Sequence, residues 1–135
     1  TSENVYGVGL SITTSTAAMG EVIVRNVNVV NNMTQVGPNA TIDAAVYSNN
    51  DSNVLWQYNN VYGNIVDIET DFGSGTTEGN GNIFLDPQYL DVTSVNPDDW
   101  DFQLSSTSPC IDAGSEEISD ADGTRSDIGA YGGPN

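Results

Sequence analysis

Two stretches of this chain repeat one another at a fixed distance. Asn28-Val29-Val30-Asn31-Asn32 and Asn60-Val61-Tyr62-Gly63-Asn64 lie 32 residues apart and share one form, an amide, an apolar pair, then amide or glycine. Asn4-Val5-Tyr6-Gly7 has the same form 24 residues before the first. Such a unit is too short to bury an apolar face alone, and periods of roughly 20 to 50 residues mark units that stack on one another. The unequal spacing implies a constant core with connecting loops of different length. Between the copies, apolar residues alternate and do not recur at helical spacing. Leu10 alternates with Ile12, and Val22, Val24, Val27 and Val29 lie in a strand-like run from Glu21 to Val30. Ile42, Ala44 and Val46 follow, then Val54, Trp56 and Tyr58, then Val61, Ile65 and Ile68. Ile83 with Leu85 and Phe102 with Leu104 come later. β-Branched and aromatic residues in runs of about three to six, separated by Asn, Gly, Ser and Asp, predict short strands joined by turns.

The stacking pattern predicts an all-β fold, a short solenoid of the parallel β-helix kind. Each coil gives about three strands that pair with those above and below. Asn32 and Asn64 are the candidate corners, because Asn tolerates left-handed backbone and its amide reaches the next coil. An antiparallel β-sandwich also has short strands and frequent turns, and the pattern leaves it open. Near Thr70 the pattern changes. Asp71 to Gly81 is glycine-rich and poor in core residues, and it is expected to be a surface loop or connection. Beyond it Pro87, Pro97 and Pro109 appear and apolar residues thin out. The expected organisation is one domain, with β-helix coils over 1–81 and the last coil plus an irregular C-terminal capping segment over 82–135. A cap covers strand edges and an apolar end that would otherwise invite association. Trp100 is expected to plug the coil end.

Charge narrows the function classes. Arg25 and Arg125 are the only basic residues against 19 acidic ones, with no Lys and no His, for a net charge of −17. Such a surface repels phosphate backbones and anionic membranes and attracts cations. Nucleic acid is therefore excluded as a partner. No run of apolar residues is long enough for membrane insertion. Cys110 stands alone, so no internal disulfide forms, and a buried structural thiol is expected. The chain opens in mid-pattern without a signal peptide, as expected of a mature fragment or excised domain.

The closing segment carries a recognisable order of motifs. Gly81-Asn82-Ile83-Phe84-Leu85-Asp86-Pro87 precedes Asp101-Phe102-Gln103-Leu104. Ser108-Pro109-Cys110-Ile111-Asp112-Ala113-Gly114 follows, and then Asp120-Ala121-Asp122-Gly123-Thr124-Arg125-Ser126-Asp127-Ile128-Gly129-Ala130-Tyr131. Together they resemble the C-terminal end of secreted bacterial right-handed parallel β-helix proteins of the pectate-lyase-like superfamily, many of them surface or polymorphic outer-membrane-type proteins. The resemblance covers about the last 50 residues, and it departs from the family pattern where Gly132 stands in place of an acidic residue after Tyr131. It implies a right-handed parallel β-helix and a secreted or cell-surface bacterial setting. It implies no single activity, because fold does not decide function.

The residues themselves argue against catalysis. A polysaccharide lyase needs a base beside the sugar proton, and Lys and His are missing. A glycoside hydrolase needs two carboxylates at a set separation. Asp43, Asp51, Asp67, Glu69 and Asp71 supply candidates that any acidic surface would supply. Ser and Cys nucleophiles lack a histidine base. The sharper candidate is a Ca²⁺ site at Asp120, Asp122, Thr124 and Asp127, three carboxylates around Gly123 with the Thr124 carbonyl or hydroxyl. It is not an EF-hand, because Tyr131 stands where the twelfth-position Glu is needed. The same spacing also suits a turn, with Asp120 and Asp122 bonding backbone N–H groups and Arg125 pairing with Asp112 or Asp127. Asp98, Asp99 and Asp101 form a second, weaker acidic group. Trp56, Tyr58 and Tyr62 are candidates for stacking on carbohydrate, though Trp56 and Tyr58 share strand parity with Val54, which favours the core. Asn32-Met33-Thr34 and Asn39-Ala40-Thr41 match a glycosylation sequon and read as incidental.

The expected function is a non-catalytic structural β-helix module of a secreted or cell-surface protein, with Ca²⁺ as the candidate stabilising ion. The alternatives are a carbohydrate-binding module with polysaccharide as partner, and the C-terminal portion of a polysaccharide-active enzyme with active coils upstream. An exposed N-terminal coil is expected to offer a surface for self-association.

Overall fold

The computed structural model describes residues 6–7, 9–13, 20–32, 42–49, 53–64 and 68–131. Within these the chain is all-β, and its only helical element is a 3-10 turn at Pro97–Asp99. The strands fall into three successive tiers. The first holds β1 (Tyr6–Gly7), β2 (Leu10–Ile12), β3 (Val22–Val24) and β4 (Asn28–Val30). The second holds β5 (Ile42–Ser48), β6 (Val54–Trp56) and β7 (Asn60–Tyr62), and the third β8 (Ile68–Phe72) and β9 (Thr76–Glu78). All pairing between tiers is parallel. β5 pairs with β1, β2 and β8, β6 lies between β3 and β9, and β4 pairs with β7. A parallel bridge from Asn60 to Ile83 continues the last sheet. Parallel sheets stacked in this order are compatible with a β-helix.

The repeat visible in the sequence is the pairing register. Asn28 lies opposite Asn60, Val29 opposite Val61 and Val30 opposite Tyr62. The step to the third tier is shorter, with Val54 opposite Thr76 and Ala44 opposite Ile68. The third copy of the repeat does not join this column. Tyr6 and Gly7 pair with Ile42 and Asp43, while Asn4 and Val5 lie outside the described residues, as does Ile65.

Corners follow a rule of two residues. Left-handed backbone occurs at Asn26 (φ 60°), Tyr58 (φ 53°) and Gly81 (φ 78°) in one column, and at Asn31 (φ 53°) and Gly63 (φ 67°) in another. The reversal therefore sits one residue before Asn32 and Asn64, the corners expected from sequence. It also splits the expected run from Glu21 to Val30 into β3 and β4. The residue after each reversal in the later tiers is Asn, and its side chain holds the tier before it. Asn59 Oδ1 accepts from Val27 N at 3.0 Å while its Nδ2 donates to Val24 O at 2.9 Å. Asn82 Oδ1 accepts from Asn59 N at 3.1 Å and its Nδ2 donates to Trp56 O at 3.2 Å. Asn64 Oδ1 accepts from the backbone and side-chain amides of Asn32, and its Nδ2 donates to Val29 O. A carboxamide does this because it carries an acceptor and a donor side by side.

Val29, Ala45, Val46, Trp56 and Val61 form the buried core, with Leu10, Val24, Val27 and Phe72 packed against it. Phe72 stacks at a tilt on Trp56, centroids 5.7 Å apart. The stretch from Asp71 to Gly81, expected to be a loop, contains the end of β8 and all of β9. Its inner side is supplied by Phe72 and by a hydroxyl pair, Ser48 with Thr76, so aliphatic content does not reveal the strand.

After the tiers, β10 (Tyr89–Asp91) and β11 (Asp101–Leu104) form an antiparallel pair. The 3-10 turn between them is capped by Asn96, whose Oδ1 accepts from Asp98 N. Residues 105–131 are a chain of turns that returns along the side of the tiers. Ser126 bonds Asn26, the Ile128 carbonyl accepts from Asn28, and Cys110 lies between Asn28 and Asn60. Trp100 does not plug a coil end. It stays 39% exposed, edge-on to Phe102, with Nε1 donating to Ser94 O. That indole bond is local to the β10–β11 connection, which fixes the ring there.

Candidate functional site

Asp120, Asp122 and Thr124 meet in one turn. Gly123 has φ 86°, a conformation that glycine adopts without strain, and its N–H donates to Asp120 O at 3.1 Å. Asp122 Oδ1 accepts from the Thr124 backbone N–H at 2.9 Å and its hydroxyl at 2.8 Å. Asp120 Oδ1 lies 3.1 Å from the same hydroxyl. These bonds hold the exposed Asp122 carboxyl below the usual range, the Thr124 backbone N–H contributing most. Asp127 is bonded outside the turn. Its Oδ1 accepts from the Asp112 N–H at 2.8 Å, where Asp112 itself is left-handed. Burial pushes the Asp127 carboxyl up, and the nearby charges of Asp120, Asp112 and Asp122 add to this. One oxygen of each carboxylate is thus already used within the polypeptide. Among the described residues no three acidic, Cys or His side chains converge as a metal-holding group.

Arg125 was expected to pair with Asp112 or Asp127. It instead donates from Nε to Gly114 O at 2.6 Å and from a terminal nitrogen to Ala113 O at 3.3 Å. Its guanidinium lies 5.3 Å from the Tyr58 ring centroid, with Glu116 at 3.9 Å. The planar fork suits carbonyls and a ring face together, which a single carboxylate would not exploit. Arg25 bonds Glu117 at 3.0 Å and Ser115 at 3.3 Å. Both cations therefore bind the returning segment to itself or to the tiers.

The three aromatic candidates separate. Trp56 is fully buried, so it offers no face to a sugar, and its Nε1–H finds no partner among the described residues. Tyr58 lies beyond the end of β6, where a left-handed backbone replaces strand parity, and its ring lies between Gly81 and Arg125. Tyr62 is exposed. One buried, one covered and one exposed ring make no platform. In the second acidic group, Asp99 accepts from Ser94 and Asn96, and Asp101 accepts from Gln103 N at 2.9 Å. Asp51 and Asp67 lie outside the described residues, Asp43 and Glu69 lie on β5 and β8, and Asp71 is exposed on β8. Most of both glycosylation sequons is outside the described residues. Cys110 is fully buried, and burial pushes its thiol up, so it is a neutral packing group at neutral pH.

The feature not legible in the sequence is a groove of about 620 Å³ along the outer edge of β4. Leu10, Asn28, Val29, Val30, Tyr89 and Phe102 are among the residues that line it. Tyr89 and Phe102 meet edge to face at 5.3 Å. Burial pushes the Tyr89 hydroxyl up, partly offset by its hydrogen bond with Asn28. None of the lining residues is charged, in a chain with 19 acids. The alternation of Phe102 with Leu104 marked a strand, but nothing local told that its ring faces β4.

No family model, no characterised protein and no solved structure matches this chain. Among the described residues no helix is long and apolar enough to cross a membrane.

Proposed function

We propose that this chain is a non-catalytic structural module, a short right-handed parallel β-helix from a secreted or cell-surface bacterial protein. The observation that carries the reading is the repeated corner, in which an Asn of one tier bonds the backbone of the tier before it at Asn59, Asn64 and Asn82. A device repeated tier after tier serves the stack itself, as in solenoid proteins whose units bond only to their neighbours. The chemistry supports the same view. Both cations are engaged by the returning segment, no Lys or His supplies a base, and the aromatic candidates form no shared face.

In this reading Asp120, Asp122, Thr124 and Asp127 are turn formers whose hydrogen bonds substitute for a calcium ion. Thermal unfolding in Ca²⁺, in Mg²⁺ and after EDTA, at one fixed ionic strength, tests this. A ligand specific to the folded state raises the midpoint. Equal midpoints are expected. A Ca²⁺-specific rise abolished by Asp122→Ala would restore the cation site. The scaffold reading is tested by incubating the chain with neutral and uronate polysaccharides. No new reducing ends or unsaturated products are expected, and product formation by the purified chain would overturn it.

A further inference from the structure

We propose that the outer edge of β4 is a docking site for an extended, basic polypeptide segment of a partner, which adds to it as a further parallel strand. Among the described residues β4 is paired on one side only, by β7. In that ladder Asn60 N donates to Val27 O at 2.9 Å and Asn31 N to Tyr62 O at 3.1 Å. Backbone groups alternate in direction along a strand, so the N–H and C=O of Asn28 and Val30 face the groove. All three residues of β4 line the groove, together with Leu10, Tyr89 and Phe102. Strand addition uses these elements together, with main-chain bonds for affinity and alternate side chains for specificity. The register of the tiers states what fits, since β4 and β7 stack Val29 on Val61 and Asn28 on Asn60. A docked strand therefore places a β-branched apolar side chain over Val29 and a polar one over Asn28. The returning segment already bonds at one end of the groove, where Gly129 N donates to Asn26 O at 3.1 Å.

Charge selects the occupant. The molecule carries −17, and both of its cations are engaged elsewhere. A second copy would bring an equal negative charge against it, whereas a basic segment is drawn in by the same field. The uncharged groove then accepts the strand itself, with basic residues projecting beyond it.

The probe is a synthetic peptide carrying Asn-Val-Val-Asn-Asn, the sequence of residues 28–32, between lysine pairs. The expected result is saturable binding in which amide exchange slows at Asn28 and Val30. Phe102→Ala, at a half-exposed position on β11 outside the tiers, is expected to weaken binding about tenfold, near 1.4 kcal/mol. Proline in place of the peptide's first valine, whose N–H donates to Asn28 O in this register, is expected to abolish it. Absence of binding at about millimolar peptide, where a complex is worth only ~4 kcal/mol, overturns the proposal. Equal binding of the proline peptide reduces it to charge attraction and also overturns it. Protection of Asn28 and Val30 that rises with protein concentration alone assigns the edge to a second copy. Competition by neutral oligosaccharides assigns the groove to sugar, and either result overturns the strand.

Discussion

Among the described residues up to Leu85 the bonds run between tiers, and each corner repeats the bond of the one before it. Asn59 reaches back to Val24 and Val27, and Asn82 reaches back to Trp56 and Asn59. In residues 105–131 many bonds close local turns, such as Ser108 N to Ser105 O and Gly123 N to Asp120 O, and a few backbone and side-chain groups reach the tiers. Asn26, Asn28 and Asn60 receive them, with Arg25 and Arg125 as clamps. A periodic array shares its load, so one lost core group is felt by the tiers on both sides. An anchored segment depends on a few fixed points, so its losses are local. Two regions of one chain thus respond differently to the same kind of substitution.

Trp56→Ala sharpens that contrast most. It removes the largest fully buried side chain among the described residues, and its contact with Phe72. A loss of about 3–5 kcal/mol in denaturant unfolding is expected, with all three tiers losing exchange protection together. Trp56→Phe is expected to cost much less, because it also removes an indole N–H without a partner among the described residues.

Asn59→Ala comes next. It leaves Val27 N and Val24 O without their partner and is expected to cost about 2–3 kcal/mol, again across the tiers. An effect confined to the second tier would break the picture of a shared array.

Arg125→Ala tests the other region. The side chain holds two carbonyls and the Tyr58 ring, and its loss is expected to cost about 1–2 kcal/mol. Exchange should quicken over residues 108–129 while the tiers stay protected. Equal quickening in the tiers would show the two regions to be one cooperative unit.

The smallest effect is expected at Asp127. Its folded-state carboxyl is raised by burial and by Asp120, Asp112 and Asp122. A raised carboxyl favours the protonated fold, so its contribution is greatest below the unfolded value and is lost as pH rises through the folded one. Asp127→Asn keeps the acceptor for Asp112 N and removes the charge, so a gain of ~0.5 kcal/mol is expected at pH 7. The gain should fade as pH falls through the folded value and be absent below the unfolded one, where the carboxyl is protonated in both states, and shrink in high salt. Asp122 runs the opposite way. Its carboxyl is lowered, so its contribution is present above the unfolded value and lost as pH falls through the folded one. A gain at Asp122→Asn equal to that at Asp127→Asn would mean that general charge repulsion, and not position, sets both.

Sequence legibility follows the same division. The repeat at Asn28 and Asn60 gave the register of β4 on β7 directly, because identical residues stack on one another in a parallel array. The core side of Val54 and Trp56 was legible from alternation. Tyr58 was not, because a left-handed backbone ends the alternation before it and turns its ring towards Arg125. β9 escaped because backbone bonds and a Ser48–Thr76 hydroxyl pair hold it without aliphatic residues.

By itself, then, the sequence determined an all-β chain of short strands, its tier spacing between Asn28 and Asn60, its extreme charge and its lack of Lys and His. These are properties of local pattern and composition. The tertiary structure alone decided where residues 86–131 go, what Arg25 and Arg125 hold, and that Tyr89 and Phe102 line one groove with Leu10 and Val29. Those partners lie far apart along the chain, as Arg25 and Glu117 do, and no spacing rule connects them. Turns without periodicity place each anchor through the whole path before it, so their geometry is set only when the chain has folded.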